Sequence, residues 1–165
     1  TNSVDVGSEL SGIIEAVFVD VNDRVKKGQV IARLDTSRLR DQVRQAKADI
    51  ADRDAVLIGA STDTDFVHFA WRKSDERLAA CDFPWIADNK HELARALGII
   101  EPNAGVALRA TFIVDPHNVI QHVTVNGLNQ GRNPQEAIRI LDALQTDELC
   151  PCNWTQGEEV LRPAA

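Results

Sequence analysis

The sequence lacks long hydrophobic runs, an excess of basic residues and an even set of cysteines, and each shortage excludes a class of protein. No segment approaches the roughly 18 consecutive apolar residues of a membrane span. The net charge of -7 argues against a nucleic-acid-binding protein, which needs a basic face to displace counterions from phosphate. Three cysteines argue against a secretory disulfide framework and favour free or redox-active thiols in a reducing compartment.

Sequence signatures of common cofactor sites are also missing. There is no phosphate-binding glycine loop, dinucleotide fingerprint or serine-nucleophile elbow. The four histidines have no zinc-like spacing with the cysteines, and His68, between two phenylalanines, is interpreted as a half-buried packing residue. We therefore predict neither a metal nor an organic cofactor.

Charge divides the chain into two parts. Residues 1–50 contain eight basic and eight acidic residues, whereas the rest contains ten and seventeen, together with all three cysteines. The chain begins at Thr1 with neither an initiator methionine nor a signal-peptide pattern, so we expect a fragment or a processed form. The shift in composition predicts two units, residues 1–50 and 51–165.

The first unit has the pattern of a β-hairpin followed by a helix. β-Branched residues fill 11–19 and 30–34, and a polar turn begins at Asn22. Apolar residues then recur at helical spacing behind the possible N-caps. These caps are Asp35, Thr36 and Ser37.

Residues 3–50, including the string VKKGQVIARLD at 25–35, resemble the biotinyl/lipoyl-like half-motif of haemolysin-D-type membrane fusion proteins. The resemblance implies a periplasmic adaptor of an export or efflux system, a binding module without chemistry of its own. No lysine stands at a hairpin tip between two half-motifs, so attachment of lipoate or biotin is not expected. A hairpin that only packs on a neighbour is the simpler alternative.

The second unit begins with alternating strands and helices. The apolar run at 55–60 is typical of a parallel strand buried on both faces. A helix that carries Phe66 and Phe69 follows it, and a short strand is predicted at 83–87. The predicted helix caps are Asp63 or Asp65 for the first helix, and Asp88 with a terminating Gly98 for the second.

A hairpin and a closing helix complete the second unit. Strands at 107–114 and 119–125 flank a turn at 115–118 that contains Pro and Asn. Asn133 is the expected N-cap of the last helix, and Glu136 would complete a capping box. The order of elements predicts an α/β protein with the later part of a thioredoxin-like sheet and flanking helices.

Two cysteines one residue apart, Cys150 and Cys152, lie beside Trp154 near the end of the chain and indicate redox chemistry. The surrounding sequence resembles the AhpC-type alkyl hydroperoxide reductases, a branch of the peroxiredoxins. The match spans about residues 51–161 and is carried by the strings at 56–72, 83–98, 108–126 and 131–154.

This resemblance implies thiol-dependent peroxide reduction, in which a thiolate attacks the O–O bond and a resolving thiol captures the sulfenic acid. It implies that Cys150 and Cys152 are resolving thiols. Arg109 corresponds to an arginine that favours the thiolate and orients the peroxide, and Arg132 to a second, supporting arginine. The implied partners are a peroxide and a thiol or dithiol reductant protein, and the implied assembly is a homo-oligomer.

The family's peroxidatic motif, P-x-x-x-T-x-x-C, is not found in these residues. Cys81 is the only other cysteine, and the carboxylate of Asp82 disfavours a thiolate there. We therefore expect no peroxidase turnover from the isolated chain, and the sheet to lack central strands.

Three hypotheses follow from the sequence. The chain is a peroxiredoxin without its catalytic segment, an adaptor fragment, or a composite of the two joined near residues 50–52. The composite best describes the organisation, and peroxide reduction is the function predicted for the longer part. A cytoplasmic location is expected, or a periplasmic one if the adaptor-like segment governs.

Overall fold

A computed structural model describes residues 13–20 and 23–162. Residues 3–12 of the adaptor-like motif, with the predicted start of its first strand at Ser11, lie outside the described residues, as does Asn22 of the predicted turn. The elements in chain order are β1 (Ile14–Val17), β2 (Ala32–Leu34), α1 (Ser37–Ala51), β3 (Gly59–Ser61), α2 (Asp65–Ser74), α3 (Glu76–Ala79), β4 (Trp85–Ala87), α4 (Glu92–Ala96), β5 (Arg109–Val114), β6 (Ile120–Asn126) and α5 (Pro134–Thr146).

The predicted hairpin and helix of the first unit are present. β1 pairs antiparallel with β2, with Val17 opposite Ala32. Helix α1 begins at Ser37, whose backbone N–H donates to the Asp35 carboxylate at 2.8 Å. Among the three predicted caps, Asp35 thus supplies the acceptor, while the Thr36 side chain makes no capping bond.

Helix α1 packs on α3 and α5, elements of the second unit. The Arg53 guanidinium, just after α1, binds both carboxylate oxygens of Asp142 on α5, with 3.0 Å from Nη2 to Oδ2. Two exposed ion pairs add to this junction, Lys47 with Asp82 and Arg40 with Glu76. The helix that follows the adaptor-like hairpin is therefore integrated with the later part of the chain.

The prediction of a strand at 55–60 buried on both faces is wrong in extent and burial. β3 begins only at Gly59, where it pairs in parallel with β4 opposite Trp85. Val56 and Ile58 are 79% and 54% exposed. Burial on both faces of a strand needs elements packed above and below it. The described residues leave the side chains of Val56 and Ile58 uncovered.

Helices α2 and α4 use different caps. Thr64 caps α2, accepting from the Val67 N–H at 3.3 Å, so the prediction of Asp63 or Asp65 is wrong. For α4 the N-cap position is His91, whose side chain makes no capping bond. Asp88, predicted as the cap, lies three residues earlier and supplies the acceptor, because its carboxylate accepts from the N–H groups of Leu93 and Ala94 at 3.0 and 2.8 Å.

β5 and β6 form the predicted antiparallel hairpin. The Asp115 carboxylate accepts from the N–H groups of His117 and Val119, and Asn118 adopts a left-handed conformation with φ 63°. The α/β class is confirmed, with the described strands pairing as three two-stranded sheets.

Helix α5 starts as predicted. The Asn133 side chain accepts from the N–H groups of Gln135 and Glu136 at 3.1 and 3.3 Å. Glu136 does not return to the cap residue, because its carboxylate binds Arg139 instead. No described helix is long and apolar enough to cross a membrane.

Candidate functional site

The three thiols differ in burial and are all free. Cys81 is buried, Cys150 is half-buried and Cys152 is exposed. Helix α5 ends at Thr146, and Asp147 reverses the chain in a left-handed conformation, φ 53°. The Thr146 hydroxyl lies 3.6 Å from the sulfur of Cys150. The end of α5 therefore partly shields Cys150 and leaves Cys152 in solvent.

The segment that carries Cys150 and Cys152 is a folded loop, which we call the thiol loop, residues 149–161. The Leu161 N–H donates to the Leu149 carbonyl at 2.7 Å and closes its ends. Trp154 is only 3% exposed at its centre, and its indole N–H donates to the Glu158 carbonyl at 3.0 Å. The Glu158 carboxylate also accepts from the Thr155 N–H at 2.8 Å, although the side chain is exposed. In a closed loop of this kind the two sulfurs can occupy a smaller range of positions than they could in a free tail.

Arg139, on α5, joins the helix to the thiol loop. One terminal nitrogen, Nη1, donates to the Trp154 carbonyl at 3.0 Å. Its Nε and Nη2 donate to the two carboxylate oxygens of Glu136, each at 2.7 Å. Arg139 is not among the site residues predicted from the sequence, although a Glu and an Arg three positions apart on a helix are a recognisable pair.

The charges around Arg139 agree with this geometry. The hydrogen bond with Glu136 is the main cause that raises the pKa of Arg139, and the nearby Cys150 and Cys152 add to the shift. The same hydrogen bond is the main cause that lowers the pKa of Glu136. Glu136 therefore has the largest effect on the charge of Arg139, and the two thiols contribute less.

The two predicted site arginines lie elsewhere, around the start of β5. Arg109 donates to the Leu128 carbonyl at 3.5 Å, and Arg132 donates to the Ala110 carbonyl at 3.2 Å. Both side chains are exposed, and within residues 13–20 and 23–162 neither forms an ion pair. No hydrogen bond in the described part of the chain joins either of them to a cysteine. The structure thus brings the two arginines near one strand and the two thiols to one loop, as separate groups.

Cys81 has the surroundings of an inert thiol. Burial is the main cause that raises its pKa, Arg72 opposes the shift, and Asp82 and Asp75 add to it. Its sulfur lies 3.9 Å from the Arg77 carbonyl oxygen. The Asp82 carboxylate raises the pKa of Cys81, as the sequence predicts, but burial raises this pKa more strongly.

His68 is buried, rather than half-buried as predicted. Its Nε2 lies 2.7 Å from the Ser61 hydroxyl, which also lies 2.9 Å from Asp63, and its ring meets Trp85 edge-on at 5.0 Å. In a catalytic triad the histidine stands between serine and carboxylate, whereas here the serine does. We therefore interpret His68 as a hydrogen-bonded core residue. No cluster of three potential metal ligands occurs within the described ranges.

Comparison with known proteins identifies the family. The profile of the AhpC/TSA family matches residues 37–123. The alkyl hydroperoxide reductase C of Mycolicibacterium smegmatis is 50% identical over 113 residues, which are 68% of this chain and 57% of the relative. Peroxiredoxin TSA1-B of Candida albicans is 37% identical over 127 residues, 73% of this chain and 65% of the relative. The chain thus spans 57% of the length of the first of these relatives.

Solved structures agree. AhpC of Mycobacterium bovis has a TM-score of 0.63 at 44% identity, covering 72% of this chain and 65% of that one. A reduced 2-Cys peroxiredoxin of Plasmodium vivax has a TM-score of 0.67 at 27% identity, covering 78% and 69%. The thioredoxin-like fold of the later part is confirmed by these neighbours, whereas the adaptor resemblance of residues 3–50 gains no support and stays a prediction. With a family profile over residues 37–123 and a 50% identical relative, the chain belongs to the AhpC/TSA family.

Proposed function

We propose that this chain carries the thiol-resolving part of a thiol-dependent peroxide reductase, with Cys150 and Cys152 as the resolving thiols. The observation that carries the proposal is the thiol loop, which presents two free sulfurs of graded exposure in a member of the AhpC/TSA family. Because the loop is folded, the sulfur of a peroxidatic cysteine would meet these two thiols at a defined position.

The proposed reaction needs a peroxidatic thiolate that is not among these residues. That thiolate attacks the peroxide, releases an alcohol or water and becomes a sulfenic acid. A thiolate of the thiol loop then attacks the sulfenic sulfur, so that a disulfide forms and water leaves. A thiol or dithiol reductant protein returns both sulfurs to thiols.

Arg109 and Arg132 are proposed to serve the peroxide side of this reaction. Both are exposed, and in the described part of the chain neither is neutralised by an ion pair. A fixed guanidinium favours a thiolate and can donate to peroxide oxygens. In this proposal they act in an assembly that contains the peroxidatic thiolate.

Association and location are part of the same proposal. The short two-stranded sheets leave strand edges open, and open edges favour pairing with another chain. Val56 and Ile58, just before β3, add exposed apolar side chains. We propose a homo-oligomer in the cytoplasm, where thiols stay reduced. A periplasmic adaptor remains the alternative for residues 3–50, and the hairpin β1–β2 is the feature that favours it.

The boundary between the two parts is proposed to lie before α1. The family profile begins at residue 37, and α1 packs on α3 and α5. The composition predicts a division at residue 50, near the end of α1. The contacts of α1 with α3 and α5 favour an earlier boundary. Removal of residues 1–36 should leave a folded protein, whereas removal of 1–50 should not, as judged by cooperative thermal unfolding.

The test of function supplies the missing thiolate. A variant of the M. smegmatis alkyl hydroperoxide reductase C, in which serine replaces any cysteine aligned with Cys150 or Cys152, is mixed with this chain, hydrogen peroxide and a dithiol reductant. Peroxide consumption should rise with this chain and not with its Cys150→Ser, Cys152→Ser double variant. Equal rates with both would contradict the proposal. Turnover by this chain alone, abolished by Cys81→Ser, would show instead that Cys81 is the peroxidatic thiol.

A further inference from the structure

Arg139 joins two groups, the Glu136 carboxylate on its own helix and the Trp154 carbonyl in the thiol loop. Its guanidinium binds Glu136 through two nitrogens and the Trp154 carbonyl through the third. Glu136 and Arg139 belong to the same helix, one turn apart, so the carboxylate fixes the direction of the guanidinium. The third nitrogen is then aimed at the thiol loop.

The bond to Trp154 reaches the middle of the thiol loop. Trp154 is the most buried residue of that loop and lies two positions after Cys152. The backbone N–H of Trp154 donates to the Pro151 carbonyl at 3.2 Å. This bond closes a tight turn over residues 151–154, which contains Cys152 and directly follows Cys150. A bond that holds the Trp154 carbonyl therefore also holds the Cys150–Cys152 segment.

We propose that Arg139 is a positioning residue that docks the thiol loop on α5, with Cys152 open to solvent and Cys150 shielded. In the docked loop an external sulfur meets Cys152, and Cys150 becomes reactive when the Arg139 bond to Trp154 opens. This inference rests on the proposed function. If the two cysteines were not resolving thiols, it would not matter for catalysis that Cys152 reacts before Cys150.

The three cysteines provide the measurement. The reduced full chain is treated with iodoacetamide at neutral pH, and mass spectrometry of peptides gives the alkylation rate at each sulfur. Arg139→Gln should raise the rate at Cys150 about tenfold, the scale expected when a hydrogen bond to a charged group is lost. Cys152 is already exposed and should change little. Cys81 is buried in another part of the fold and reports global unfolding.

Matched variants separate positioning from general damage. Arg139→Lys keeps the charge but cannot bind Glu136 and Trp154 with one planar fork, so it should give an intermediate rate at Cys150. Arg95→Gln removes another helix arginine that donates to a backbone carbonyl, that of Lys90 at 3.1 Å, and should leave all three rates unchanged.

Two results would overturn the inference. One is an Arg139→Gln chain with an unchanged rate at Cys150. The other is a parallel rise at Cys81, which would mean that the variant loosens the whole fold. The measurement uses no peroxide, so its outcome is independent of whether the chain supports peroxide reduction.

Discussion

Arg53 and Asp142 form an ion pair in which both carboxylate oxygens accept from the guanidinium, and it joins the end of α1 to the middle of α5. Asp142 is only 8% exposed, and Arg53 also donates to the Asp49 carbonyl at 2.6 Å. The pair shows that the helix after the adaptor-like hairpin and the helix before the thiol loop are parts of one packed unit.

The first prediction concerns this junction. Arg53→Gln leaves the buried Asp142 carboxylate without its cation, and removing one partner of such a pair is strongly destabilising. We expect a lower midpoint of thermal unfolding than for Lys47→Gln, which breaks a more exposed pair with Asp82. The double variant Arg53→Gln, Asp142→Asn should lose less than the sum of the single losses. If Arg53→Gln and Lys47→Gln lowered the midpoint of thermal unfolding equally, the claim that the Arg53–Asp142 pair stabilises the packing of α1 on α5 would be wrong.

The second prediction concerns the start of α5. Asn133→Ala removes the acceptor for the N–H groups of Gln135 and Glu136 and should lower the free energy of unfolding by about 1 kcal/mol. Urea denaturation followed by circular dichroism measures the change. Asn129→Ala, in the preceding exposed loop, is the control and should leave the urea midpoint unaltered. A similar loss in both variants would show that the cap is not the cause.

The third prediction concerns alkaline pH. Burial raises the pKa of Cys81, so the folded protein holds that proton more tightly than the unfolded chain does. The resulting stability is fully present below the unfolded pKa of about 8.5 and is lost as pH rises through the higher folded pKa. Between pH 7 and 10 the urea midpoint should fall less steeply for Cys81→Ala than for the original chain. Identical slopes would contradict this role for Cys81.

The fourth prediction concerns acid pH and the thiol loop. The Arg139 hydrogen bond lowers the pKa of Glu136, so this contribution is present above the usual glutamate value of about 4.3 and is lost as pH falls through the lower folded pKa. Protonated Glu136 holds Arg139 less firmly, so we expect Cys150 to become more accessible as pH falls through this lowered pKa. Dithiodipyridine, which reacts with thiols in acid, measures this site by site. Glu136→Gln should abolish the pH dependence while keeping Cys150 accessible throughout, and a persistent acid response in this variant would refute the assignment.

Local signals in the sequence determined much of this protein. The hairpin turn at Asp115, the Asn133 cap and the Asp88 acceptor at the start of α4 follow from side chains that bond backbone groups a few residues away, so no distant contact is needed to predict them. The family strings likewise identified the thioredoxin-like fold and singled out Cys150 and Cys152, because those residues are close together in the chain.

The tertiary structure decided what depends on distant partners. Residues 55–60 have the composition of a buried strand, yet Val56 is 79% exposed, because burial requires elements packed on both faces of the strand, which a local pattern cannot supply. Arg53 finds Asp142, and Arg139 finds Trp154, across separations that no periodicity encodes. The sequence therefore singled out Cys150 and Cys152, because the residues of the family string that contains them are neighbours in the chain. Folding of the loop around Trp154 decided that Cys152 is exposed while Cys150 is half-buried.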